Sequence, residues 1–160
     1  MPLRSHAKTV ISLLENRSET VAVAESLTAG GLGHALTIIP GASKVFVGGV
    51  IAYTNEVKVN FLEVSPTLIK DFTVVSEEVA NAMADAVREK FGSTWGIATT
   101  GIAGPGDHEG IAEGTVWVAI RGPINQSIQL QLDGGREAIR TGAISSAIGT
   151  FARILSHRTT

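Results

Sequence analysis

The 160-residue chain contains no cysteine, which excludes disulfides, a thiolate nucleophile and any zinc site built on sulfur. Its four histidines, His6, His34, His108 and His157, never pair at a ligand-like spacing such as H-x-x-x-H, so no metal is expected. Aromatic residues are scarce at 5% and the formal net charge is only -2. With no cluster of Lys and Arg and no aromatic-rich basic strip, the chain offers nothing to a nucleic acid. Although 44% of residues are hydrophobic, no apolar run approaches the roughly 20 residues that span a bilayer, so no membrane partner is expected. The start, "MPLRSHAKTVISLLENRSET", lacks the uncharged core and small-residue cleavage site of a signal peptide, and a cytoplasmic location is expected. A single domain over 1–160 is predicted, because a chain of this length buries roughly two thirds of the surface that its unfolded form exposes. The apolar composition points to self-association, so a homo-oligomer is expected, with a small molecule as the other partner.

What is present is an alternation of helical and strand-like segments. "HAKTVISLLENR" sets Val10, Leu13 and Leu14 on one helical face. "TVAVAE" reads as a short strand, and "LTAGGLGHALTII" as a helix in spite of its glycines. "KVFVGGVIAY", apolar on both faces, predicts a central buried strand. "SEEVANAMADAVREKF" is the clearest helix: Ser76 suits the N-cap, Glu77 and Glu78 suit the first-turn dipole, and Val79, Met83 and Val87 form a stripe. "TWGIATTGIAG" and "GTVWVAI" are two further strands around the loop "GPGDHEGIAE". "QSIQLQL" alternates as a half-exposed or edge strand does, and "REAIRTGAISSAIGTFARILSH" closes the chain as a long helix. The order predicts a three-layer α/β/α sandwich with a mixed, mostly parallel central sheet, whose ligand crevice lies beyond the strands' carboxyl ends.

Four segments carry candidate chemistry. In "AESLTAGGLGHAL" a strand runs into a glycine-rich turn, but Leu36 occupies the third glycine position of a dinucleotide fingerprint and no acidic residue follows at the usual distance. Here Ser26 and Thr28 are read as helix caps that offer hydroxyls, while Gly30 and its neighbours permit either close packing or an approaching phosphate. In "TTGIAGPGDHEG", Thr100, Gly101 and Gly104 begin a loop that is entropically expensive to order. Its backbone N–H groups suit an anion-binding nest, or it is simply a connector. In "DGGREAIR", Arg136 and Arg140 oppose the helix dipole, which suggests an anionic ligand unless Asp133 and Glu137 neutralise them. In "GASKVFVGGVIAYTNEVK", Ser43, Tyr53 and Lys58 stand at intervals of ten and five. A lysine in a poorly solvated site can serve as the base for a serine, but the same residues also fit a solvated lysine and a turn serine, and spacing alone leaves both readings open. The Y-x-x-x-x-K interval and the incomplete glycine turn exclude a nicotinamide-dependent reductase of the short-chain type.

Taken together, "AVAESLTAGG", "PGASKVFVGGVIAYTNEVKVNFLEV", "VVSEEVANAMA", "TTGIAGPGD", "GTVWVAI" and "GGREAIR" resemble the C-terminal domain family of CinA, the competence- and damage-inducible protein. Stand-alone members of that family include bacterial nicotinamide mononucleotide deamidases. The resemblance implies hydrolysis of the amide of nicotinamide mononucleotide (NMN) to nicotinate mononucleotide and ammonia, without a cofactor. It implies Ser43, Tyr53 and Lys58 as the catalytic group, with Thr100 and Arg136 at substrate. Two departures from the family pattern stand out: "ESLTAGG" where "ESCTGG" is usual, and "IAEG" at 111–114 where "KPVG" is common. The alternative function is a non-catalytic CinA-like module that binds a nucleotide or protein in competence or the response to DNA damage.

Overall fold

Five strands form one mixed sheet in the order β2-β1-β3-β4-β5. The computed structural model describes residues 2–158; Met1, Thr159 and Thr160, at the ends of the predicted domain, lie outside it. β1 (Val21–Glu25) pairs in parallel with β2 (Phe46–Ile51) on one side and with β3 (Trp95–Gly101) on the other. β4 (Thr115–Arg121) and β5 (Gln126–Gln131) continue the sheet as antiparallel neighbours.

Strand side chains alternate between two faces, and the two faces are built differently. Val21, Val23, Trp95, Ile97, Val116, Val118 and Ile120 pack beneath α1 (Pro2–Arg17), α2 (Gly31–Thr37) and α6 (Arg136–His157). Trp95 anchors that layer: its ring meets Phe151 edge-on at 5.2 Å, and its indole N–H donates to Glu19 at 2.7 Å. The opposite face carries Ala22, Ala24, Ala98 and Ala119, small enough for α5 (Glu77–Phe91) to lie close. How close is set by Gly96, where an added Cβ would fall 2.2 Å from the Ala84 carbonyl oxygen. Two short helices, α3 (Asn55–Asn60) and α4 (Pro66–Phe72), join this second layer through Val57, Leu62, Val64, Leu68 and Ile69. The expected three layers are therefore present.

Local signals explain most boundaries. The Ser76 hydroxyl accepts from Val79 N–H at 3.2 Å and starts α5, and Gly92, with φ of 61°, ends it. Thr54 and Ser65 cap α3 and α4 in the same way, the latter with Pro66 in the first turn. Neither helix was expected from periodicity.

Two expectations change. The helix predicted over 27–39 spans only Gly31–Thr37, and its N-cap is Gly30, with φ of 94° and no side-chain cap. Ser26 and Thr28 thus cap nothing, because the chain between strand and helix makes a tight turn first. β2, predicted to be central, is an edge strand whose Val47 and Ile51 are exposed. Its apolar run is accounted for by glycine: Gly48 faces the Phe91 ring, and a Cβ on Gly49 would fall 2.4 Å from the Val23 carbonyl oxygen of β1.

Candidate functional site

The strand order sets where a pocket can form. β1 is flanked by β2 and β3, reached through helices on opposite faces, so a crevice opens beyond the carboxyl ends of β1 and β3, as the topological rule for open α/β sheets requires. A cavity of about 370 Å³ occupies that place. Ser26 and Leu27 line it after β1, Tyr53, Asn55 and Lys58 after β2, residues 100–108 at the end of β3 and in the loop beyond, and Arg136 from the start of α6.

Lys58 is the chemical centre. It lies in α3 and is only 1% exposed. Its Nζ is 2.9 Å from Ser26 Oγ and 3.3 Å from the Tyr53 carbonyl oxygen. No carboxylate pairs with it among the described residues. Burial therefore acts unopposed and pushes its pKa from 10.5 down to about 8. A neutral Lys58 can donate one N–H to the Tyr53 carbonyl while its lone pair accepts the Ser26 proton.

Ser26 sits where β1 ends, and the turn that carries it is held on every side. Its N–H donates to Thr99 O at 3.1 Å. Its predecessor Glu25, 2% exposed, accepts from Leu32 N–H at 2.7 Å and Gly33 N–H at 3.0 Å, tying strand end to helix start. Thr28 bonds Thr99, hydroxyl to hydroxyl, at 2.8 Å. Arg140 reaches from α6 to the Leu27 carbonyl at 2.8 Å and the Thr28 carbonyl at 3.4 Å.

At the mouth, Arg136 donates to the Gly104 carbonyl at 2.5 Å and to the Tyr53 hydroxyl at 2.9 Å. Neither Arg136 nor Arg140 pairs with Asp133 or Glu137; both spend their donors on uncharged oxygens, and Arg136 lines the pocket with no ion-pair partner among the described residues. The glycine loop below it is braced internally. Glu113 accepts from Gly106 N–H at 3.2 Å, and Asp107 accepts from Glu113 N–H at 2.9 Å.

The structure brings together Ser26, Tyr53, Lys58, Thr100, Gly101, Gly104 and Arg136. Ser43 is a correction. It is exposed in the 3-10 turn Ala42–Lys44 at the amino end of β2, whereas Lys58 follows the carboxyl end. Six strand residues between them, at about 3.3 Å each, separate the pair by roughly 20 Å. The serine that meets Lys58 is Ser26. Three other expected substrate contacts also stand elsewhere: Thr28 is buried against Thr99, Gly30 caps α2, and Arg140 faces the turn rather than the cavity. Thr100 lines the pocket, but its hydroxyl donates to Val74 O at 2.9 Å. Asn55, Asp107 and His108 line it without having been singled out. Glu25 was also passed over, though an acidic residue placed between a strand and a helix start is a readable signal.

Fold and site together define an α/β domain of the doubly wound class, with a buried serine–lysine pair at its switch point. The model of the CinA C-terminal domain matches residues 3–155, and the chain belongs to that family. It is 48% identical over 156 residues to a CinA-like protein of Synechocystis, the match covering 93% of this chain and 37% of that protein. A CinA-like protein of Frankia casuarinae is 43% identical over 150 residues, covering 92% and 34%. The chain thus spans about a third of the length of these curated relatives. Among solved structures, a CinA superfamily protein of Klebsiella pneumoniae superposes with a TM-score of 0.93 at 27% identity, over 98% of this chain and 99% of that one. The competence/damage-inducible protein CihA of Agrobacterium tumefaciens gives 0.92 at 28%, over 98% and 97%. No helix among the described residues is long and apolar enough to cross a membrane, and no group of three or more metal-ligating side chains gathers there.

Proposed function

We propose that this domain is a serine amidohydrolase that deamidates NMN, with Ser26 as nucleophile and Lys58 as its base. One observation carries the reading: the buried Lys58 Nζ lies 2.9 Å from Ser26 Oγ, and burial loosens its proton toward neutral pH. Such a pair can move a proton at the moment of attack, and the rest of the site suits an amide of an anionic mononucleotide.

Ser26 Oγ bonds to the carboxamide carbon as its proton passes to Lys58 Nζ. The resulting oxyanion is stabilised by N–H groups of the surrounding turns. Lys58 returns the proton to the amide nitrogen, the C–N bond breaks, and ammonia leaves a nicotinoyl ester on Ser26. Water, deprotonated by the same amine, cleaves the ester to release nicotinate mononucleotide. The Tyr53 hydroxyl accepts from Arg136 and keeps its own proton for the substrate. Arg136, a cation with only uncharged partners, is the group suited to the phosphate.

Purified protein incubated with NMN is expected to release ammonia and nicotinate mononucleotide. Ser26→Ala should lower turnover by about a thousandfold or more, as removal of a covalent nucleophile does, and Ser43→Ala should leave it unchanged. No turnover by the intact protein, or equal losses in the two variants, would sink the assignment.

A further inference from the structure

Arg140 is a doubly anchored guanidinium beside the pocket that does not line it. It stands one helical turn beyond Arg136 on α6, so the two arginines share a face. Their tasks nevertheless differ: Arg136 lines the cavity, while the Arg140 Nε–H and Nη2–H bind the carbonyls of Leu27 and Thr28, 113 and 112 residues away in sequence. Those are the two residues that follow Ser26 directly.

The turn they belong to needs such support. Ala29 and Gly30 both have positive φ, 46° and 94°, and for alanine this is a costly conformation that surrounding structure must hold. Ala29 N–H closes the turn on the Ser26 carbonyl at 3.1 Å. Once Arg140 fixes the Leu27 carbonyl, planarity of the trans peptide orients the Thr28 N–H to the opposite side, so the guanidinium sets the tilt of the 27–28 and 28–29 peptide planes in the turn that follows the nucleophile. A guanidinium can do this with two donors in one rigid fork, and an ammonium cannot.

We propose that Arg140 is a positioning residue for the nucleophile: its fork on the Leu27 and Thr28 carbonyls holds the 26–30 turn in the geometry that keeps Ser26 against Lys58. The proposal rests on the reading of Ser26 as nucleophile, and it replaces the role in substrate binding expected from sequence. The two roles separate kinetically. A substrate contact, once lost, raises KM and leaves kcat alone, whereas a misplaced nucleophile lowers kcat with KM little changed.

The test compares the intact protein with Arg140→Ala, Arg140→Lys and Arg136→Ala. Steady-state kinetics on NMN, the rate at which a fluorophosphonate labels Ser26, and melting temperature are measured for each. Both Arg140 variants are expected to lose kcat by about a hundredfold, the scale of a misplacement near 1 Å, to label Ser26 correspondingly more slowly, and to keep KM within about twofold. Added guanidinium should restore part of the kcat of Arg140→Ala, and Arg136→Ala should instead raise KM. Unchanged kcat in Arg140→Lys or Arg140→Ala, or a rise confined to KM, overturns the proposal. If Arg140→Ala does not fold, Arg140→Lys decides. If the intact protein labels at Ser26 but does not act on NMN, the amidase reading falls while the labelling rates still judge Arg140; an equal rate in its variants overturns the positioning role. Absence of labelling in the intact protein overturns both.

Discussion

Lys58 combines two properties that oppose each other, near-complete burial and a charge at ordinary pH. Burial brings its pKa from 10.5 to about 8, so the free amine needed as a base becomes abundant only as pH approaches and passes 8. kcat/KM for NMN is therefore expected to rise through an apparent pKa near 8 and then level off; a profile flat from pH 6 to 9 would remove Lys58 as the base. Stability follows with a definite sign. The unfolded lysine keeps its proton up to 10.5 and the folded one releases it at about 8, so within that window the unfolded chain binds more protons and stability rises with pH. Below 8 the folded state carries the whole penalty, on the order of 3 kcal/mol. Lys58→Met is thus expected to abolish turnover yet raise the melting temperature at pH 7, and a lower melting temperature there would contradict it. Sequence brought forward Lys58, Tyr53 and Ser26, all of which line the pocket, but it paired Lys58 with Ser43 and gave Ser26 to the substrate. Ser43 stood out because it shared one contiguous stretch with Tyr53 and Lys58, while the partner that packing supplies lies 32 residues upstream. Strand length alone could have excluded Ser43, since an extended run sets its two ends apart.

At the scale of elements, close approach matters more than propensity. The α5 layer rests on a sheet face made of alanines and Gly96. Gly96→Ala would drive a methyl to 2.2 Å from a backbone oxygen, which no side-chain rotation relieves. A loss of about 2–3 kcal/mol is expected from such overpacking, read as a lower urea midpoint; an unchanged midpoint would mean that α5 rides higher than described. Elements defined by strong local signals were legible: α5 by its cap and stripe, and α6 to within its exact bounds of Arg136–His157. β5 was read as a half-exposed or edge strand because its alternation is local too, and it lies at the sheet edge. The edge position of β2 was not legible, because strand order is decided by pairings between distant segments and its glycines disguise the exposed side. α3 and α4 were legible in principle from Thr54, Ser65 and Pro66, but each is too short to show a period.

Across the whole molecule the pocket belongs to no single segment. Its walls come from Ser26 and Leu27, Tyr53, Asn55 and Lys58, Val74 and Val75, residues 100–108 and Arg136, so a ligand there ties together segments far apart in sequence and should stabilise the fold as a unit. With Ser26→Ala to prevent turnover, NMN at a hundred times its Kd is expected to add about 2.7 kcal/mol, seen as a raised melting temperature. Free nicotinamide, which offers Arg136 no phosphate, should add far less; equal effects would detach Arg136 from recognition. The same dispersal has a consequence for synthesis. The bonds from α6 back to Leu27 close a span of 113 residues, so a growing chain that has already made Ser26 and Lys58 still lacks the helix that fixes the turn. On the proposed roles of Ser26, Lys58 and Arg140, activity should arise only after residue 140 has left the ribosome and α6 has docked, so that a half-made chain would carry the serine–lysine pair in a harmless state.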